Sequence, residues 1–131
     1  MKTFLGIAAC VAWLSGAALM FATKAFYAPF GIEVTDKISL IAQAEAAVLI
    51  GLGVITWLGR QLDRRGQTAV IAGNLVVQAI SLVAVVRAAI LGIANGVGPG
   101  IATHSVLTVA FAVGLARMLG LATSDKLSRS V

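Results

Sequence analysis

The chain has 131 residues, 60% of them hydrophobic and 11% charged, with ten Lys and Arg against five Asp and Glu for a formal net charge of +5. So few charges would not keep that much apolar surface in water, which excludes a soluble globular domain, and basic residues placed beside apolar runs are orientation signals that argue against nucleic-acid binding. A single cysteine excludes an internal disulfide, a two-cysteine redox motif and a cysteine-rich metal site.

Four apolar runs, at 4–22, 38–58, 69–92 and 101–122, occupy most of the sequence. Each is close to the roughly 20 residues needed to cross a hydrocarbon core of about 30 Å. They predict an all-α integral membrane protein, a four-helix transmembrane bundle forming one domain over 1–131. The first run follows Lys2 as a secretory signal would. It is longer than the usual apolar region of about 7–15 residues, and Lys24 occupies the cleavage window, so it is expected to be retained as a span. Cys10 within it is expected to act as a small hydrophobe, and Trp13, at mid-span, as packing.

The first connection, 23–37, contains Pro29 and Gly31, which break a continuous helix, and Thr35 or Asp36 as a cap for the second span. Phe26, Tyr27 and Phe30 cluster at its start as interfacial anchors, and Trp57 has the corresponding place at the far end of the second span. The second connection, 59–67, is a short hairpin carrying Arg60, Asp63, Arg64 and Arg65. The third, 93–100, is uncharged and rich in glycine; with no strand before it, its Gly-x-Gly-x-Gly reads as a turn and not as a phosphate cradle. Lys2, Arg60, Arg64, Arg65, Arg117, Lys126 and Arg129 fall on one side, and Lys24, Lys37 and Arg87 on the other. This asymmetry predicts that both termini are cytoplasmic, in the inner membrane of a bacterium.

Small residues recur four apart at Ala12 and Gly16, Ala47 and Gly51, Ala84, Ala88 and Gly92, and Ala112, Ala116 and Gly120. Such faces let helix backbones approach closely in lipid, within the bundle or against another subunit.

Polar residues inside the spans carry the functional information. Glu45 lies roughly 10 Å below the outer end of the second span and Arg87 roughly 7 Å below that of the third, at about 1.5 Å per residue. Opposite charges at one depth are expected to pair, since a lone charge at mid-span costs about 2.5–3.5 kcal/mol. A proton relay through Glu45 and snorkelling of Arg87 to the headgroups are the competing readings. His104 begins the fourth span among Thr103, Ser105 and Thr108, so Glu45, Arg87, Asn95 and His104 form a candidate intramembrane polar cluster. A lone histidine is more often hydrogen-bonded than a metal ligand, and no metal site, cofactor or catalytic residue is expected, although a bound lipid or pigment would suit such a cluster. Asn74, Gln78 and Ser81 share one face of the third span as an interhelical polar stripe. Arg87 lies about 180° round the helix from Gln78, so stripe and ion pair are expected to use different contacts.

The Ala28-Pro29-Phe30-Gly31 turn, the Gly51-Leu52-Gly53 and Trp57-Leu58 ending of the second span, and Gly73-Asn74 in the third span resemble the layout of small uncharacterised bacterial four-span inner-membrane proteins. The resemblance covers most of the length and supplies no catalytic residue or ligand. With no nucleophile beside a base and no repeated half, the sequence favours a non-catalytic accessory or assembly subunit of a larger bacterial membrane complex, respiratory or photosynthetic. The alternative is a small oligomeric transporter or channel using the Glu, Arg and His cluster, and a membrane enzyme comes third. The expected partners are the lipid bilayer and either other membrane subunits or further copies of the chain.

Overall fold

The computed structural model describes residues 1–93 and 96–120. These residues form helices α1 (Lys2–Phe21), α2 (Thr23–Tyr27), α3 (Asp36–Gly59), α4 (Arg64–Ile90) and α5 (Gly98–Leu119), with a 3-10 turn at Ala28–Phe30 and no strand among them. Helices α1, α3, α4 and α5 are each long and apolar enough to cross a membrane. A four-helix transmembrane bundle is therefore the architecture.

Capping explains where the elements begin and end. Helix α1 stops at Ala22, which leaves helical geometry at φ −133°. The Thr23 hydroxyl then donates to the Leu19 carbonyl at 2.6 Å, which satisfies one of the last acceptors of α1 and lets the chain turn helical again as α2. Part of the outer connection expected to be irregular is thus helical. Pro29 suits the first turn of the 3-10 segment, and Gly31 ends it at φ 65°, in the left-handed region where a side chain is disfavoured. The Thr35 hydroxyl accepts from Ile38 N at 3.3 Å and starts α3. In the hairpin, the Asp63 carboxylate accepts from Gly66 N at 2.8 Å, so α4 begins at Arg64, inside the segment expected to be a connection. The end of the fourth expected span, 121–122, lies outside the described residues.

The hairpin arginines also work as caps. Arg60 Nε donates to the Trp57 carbonyl at 3.2 Å while its guanidinium sits 3.3 Å from the centre of the Trp57 ring. Arg64 donates to the Met118 carbonyl through Nε at 3.1 Å and Nη2 at 2.7 Å, placing positive charge at the C-terminal end of α5, where the helix dipole favours it.

The helices pack as two pairs, α1 on α3 and α4 on α5, with far less contact between α3 and α4. In the first pair the close approach centres on Gly16. A side chain there would meet the Ala46 carbonyl at 3.0 Å and Ile50 Cγ1 at 2.8 Å. Gly53 similarly makes room for the Trp13 ring, which packs on Trp57 with centroids 5.3 Å apart. Leu19, Ala42 and Ala46 form the buried core of this pair, joined by Phe26 and Tyr27. The pairs meet at the opposite end, where Leu5, Ile71 and Phe111 come together from α1, α4 and α5, with Phe4 set edge-on to Phe111 at 5.1 Å.

The other small-residue stripes do not behave alike. Ala84 and Ala88 line a cavity, and Gly51 has nothing within 4 Å of where a Cβ would lie, as is also true of Gly73, outside the stripes. Gly16→Leu should therefore destabilise the protein by about 1–3 kcal/mol, the usual cost of overpacking. Gly51→Leu should change stability by no more than about 0.5 kcal/mol. Thermal unfolding of both variants in one detergent checks the contrast, and equal losses would show that α1 and α3 do not meet at Gly16.

Candidate functional site

The apolar cores of the pairs join at the Leu5, Ile71 and Phe111 end, and beyond it the pairs leave a cavity of about 520 Å³ between them, within the usual range for small-molecule sites. Ala8, Asn74 and Phe111 line its floor, and Phe30, Ile32, Val97 and Pro99 its mouth. The mouth is narrowed by a contact across the pairs. The Gly100 backbone lies against the Phe30 ring, a Cβ there coming 3.3 Å from Cε1, and at Gly96, with φ 70°, a side chain would run into the Pro29 carbonyl. At Gly96 only glycine permits this approach of the α5 entry to the 3-10 turn.

Each spanning helix contributes polar groups to the cavity, Ser15 being that of α1. From α4, Asn74 and Gln78 are nearly fully buried. Asn74 Nδ2 donates to Thr56 Oγ1 at 3.0 Å and to the Val70 carbonyl at 2.9 Å, tying α4 to α3. Gln78 Oε1 lies 2.7 Å from His104 Nδ1, tying α4 to α5; with the amide oxygen accepting, Nδ1 carries the proton, and the other nitrogen of a neutral ring is an acceptor. Hydrogen bonds of this kind between membrane helices contribute about 0.6 kcal/mol each on average, so together with the cost of leaving a buried amide unpartnered they favour this rotation of α4. Ser81 lines the same cavity one turn further along α4.

From α3, Glu45 faces the cavity opposite this network. Its carboxylate lies beside the Tyr27 hydroxyl, and burial, followed by the charge and hydrogen bonding of Glu45, raises the Tyr27 pKa above its ordinary value of 10.0. Glu45 also acts electrostatically on His104 across the cavity. The three aromatic rings expected as interfacial anchors stand at the mouth, with Phe26 5.5 Å from Tyr27 and Phe30 6.2 Å from Phe26 and 6.4 Å from Tyr27, measured between centroids.

The expected pairing of Glu45 with Arg87 is not formed. Among the described residues there is no ion pair, and Arg87 is exposed in a shallow apolar depression with Leu82, Val86 and Ile90 on the outward face of α4. Arg87 does lie opposite Gln78 on α4, as the helical angle requires; the error was to place Glu45 on the Arg87 side. Arg87 occupies the last turn of α4, which suits a guanidinium reaching the headgroups. The structure therefore brings Glu45 and His104 into one cavity with Asn74, Gln78 and Ser81, joining two groups expected to be separate, and leaves Arg87 outside. Asn95 lies outside the described residues. Sequence reasoning missed Tyr27 as the neighbour of Glu45 and Thr56 as that of Asn74. Thr56, a hydroxyl in an apolar run, was a usable signal, whereas Tyr27 reaches Glu45 only because α2 folds back onto α3.

No protein-family profile, curated protein or solved structure matches this chain.

Two outcomes follow from this geometry. Glu45→Gln and Arg87→Gln should have additive effects on unfolding free energy, within about 0.5 kcal/mol, because the residues share no contact. A double mutant markedly more stable than the sum would restore the ion pair. Tyr27 is the only tyrosine, so tyrosinate absorbance reports it alone. Its midpoint should lie above 10.0 and fall toward 10.0 in Glu45→Gln, without reaching it because burial remains. A folded pKa above the unfolded value stabilises the protein at lower pH and loses that contribution as pH rises through the folded value. An unchanged midpoint in Glu45→Gln would separate the two groups.

Proposed function

We propose that the protein is a small carrier of a bacterial inner membrane, both termini cytoplasmic, that holds a small amphipathic molecule in the cavity between its helix pairs. The observation that carries this reading is the cavity itself. It offers a largely apolar lining for a hydrophobic body, and Glu45 and the Gln78 and His104 pair give polar contacts on facing walls. A cavity that served only packing would be expected to close, since unfilled space forfeits dispersion contacts. The orientation is supported by Lys2, the hairpin arginines and Arg117 at one end of the bundle, against Lys24, Lys37 and Arg87 at the other. No catalytic role is assigned to any residue.

An accessory subunit of a larger membrane complex is the second reading. It is supported by the uncovered faces at Gly51 and Gly73, where a foreign helix has room for close approach. Native mass spectrometry of the protein released from its own membranes separates the two. The carrier reading expects one or more copies of the chain bearing a non-protein mass, lost in Ala84→Trp, whose indole would fill the cavity. A stoichiometric assembly with other proteins and no bound small molecule would replace it with the subunit reading.

A further inference from the structure

The charge lining the cavity is one-sided. Glu45 contributes a carboxylate, and no Lys or Arg reaches the lining among the described residues. The titratable neighbours of Glu45 are Tyr27 from α2 and His104 from α5; α1 and α4 contribute only Ser15, Asn74, Gln78 and Ser81 to the cavity as polar groups. Neither Arg87 nor His104 forms an ion pair with Glu45. Glu45 is exposed and lines the cavity, and where a carboxylate faces apolar walls in place of bulk water it attracts a positive charge more strongly. Next to it stand the rings of Phe26, Tyr27 and Phe30, all lining the cavity and 5.5 to 6.4 Å apart. That spacing lets one cation lie within about 6 Å of more than one ring centre, the range over which aromatic faces attract positive charge. From here to Phe111 at the floor the lining is mostly aliphatic and aromatic.

Resting on the carrier reading, we propose that the ligand is a lipophilic organic cation, its positive centre between Glu45 and the aromatic mouth and its hydrophobic body toward the floor. Selection against anions follows from the same arrangement, because an anion would meet Glu45 with no compensating cation. A neutral amphiphile would gain the apolar contacts but not the charge, and would bind more weakly.

Tetraphenylphosphonium and tetraphenylborate have nearly the same shape and opposite charge, which isolates this term. Equilibrium dialysis would compare both with the full chain in lipid nanodiscs, against empty nanodiscs to subtract partitioning into lipid. Tetraphenylphosphonium should be retained above the empty-disc level and tetraphenylborate should not. Glu45→Gln should weaken cation binding at least about tenfold, the scale expected for losing a charge-assisted contact, and Phe30→Ala should weaken it several-fold. The comparison of the two probes on the unaltered chain stands even if a variant fails to fold. Equal retention of both probes, abolished by Ala84→Trp, would overturn the cation assignment while leaving an amphiphile-binding cavity. Cation binding unchanged in a folded Glu45→Gln would also overturn it. Retention of neither probe would overturn it too, and the carrier reading would then stand or fall on the bound mass seen by native mass spectrometry.

Discussion

The close approach of α1 to α3 at Gly16 is the contact on which the rest of the bundle depends. In lipid there is no hydrophobic drive between apolar helices, so association rests on dispersion and on how near the backbones can come. Gly16 lets α1 lie against the Ala46 carbonyl, and Gly53 lets Trp13 fill the space beside it, so this pair closes tightly. Across the pairs the closest apolar packing is at one end, through Leu5, Ile71 and Phe111. The pairs share an apolar core at this end and meet again at the other through the 3-10 turn and the entry to α5, and the unfilled space between these two contacts is the cavity.

Helix α4 links the two pairs by a different interaction. Its buried face carries Asn74 and Gln78, and each reaches a different neighbour, Thr56 on α3 and His104 on α5. An amide left without a partner in hydrocarbon is costly, so these bonds hold the rotation of α4 where apolar packing against α3 is sparse. The same rotation turns Ser81 and Ala84 to the cavity and Arg87 away from it. The electrostatic character of the site therefore follows from the satisfaction of two amides.

The outer end is shaped by backbone conformation. The Thr23 hydroxyl restarts the helix after Ala22, Gly31 ends the 3-10 turn, and Gly96 and Gly100 let the entry to α5 settle on Pro29 and Phe30. Tyr27 is brought beside Glu45 by that fold-back, and the aromatic cluster becomes part of the cavity wall.

Sequence by itself determined the class of protein and its four spans, because a run of about 20 apolar residues has one stable arrangement in a bilayer, a helix that satisfies its own backbone. It also determined a cap at Thr35 or Asp36, of which the structure uses Thr35, and the shared face of Asn74, Gln78 and Ser81, which depend on local geometry. Which charges meet was decided only in three dimensions. Glu45 and Arg87 share a depth when counted from the expected span ends, but α3 begins earlier, at Asp36, and α4 ends earlier, at Ile90, which puts Glu45 deeper and Arg87 in the last turn. Depth also says nothing of which way each helix is rotated or how far neighbours are offset along the membrane normal. Those quantities come from interhelical packing at Gly16, Thr56 and Gln78, and they put Glu45 with Tyr27 and His104 and left Arg87 on the outward face.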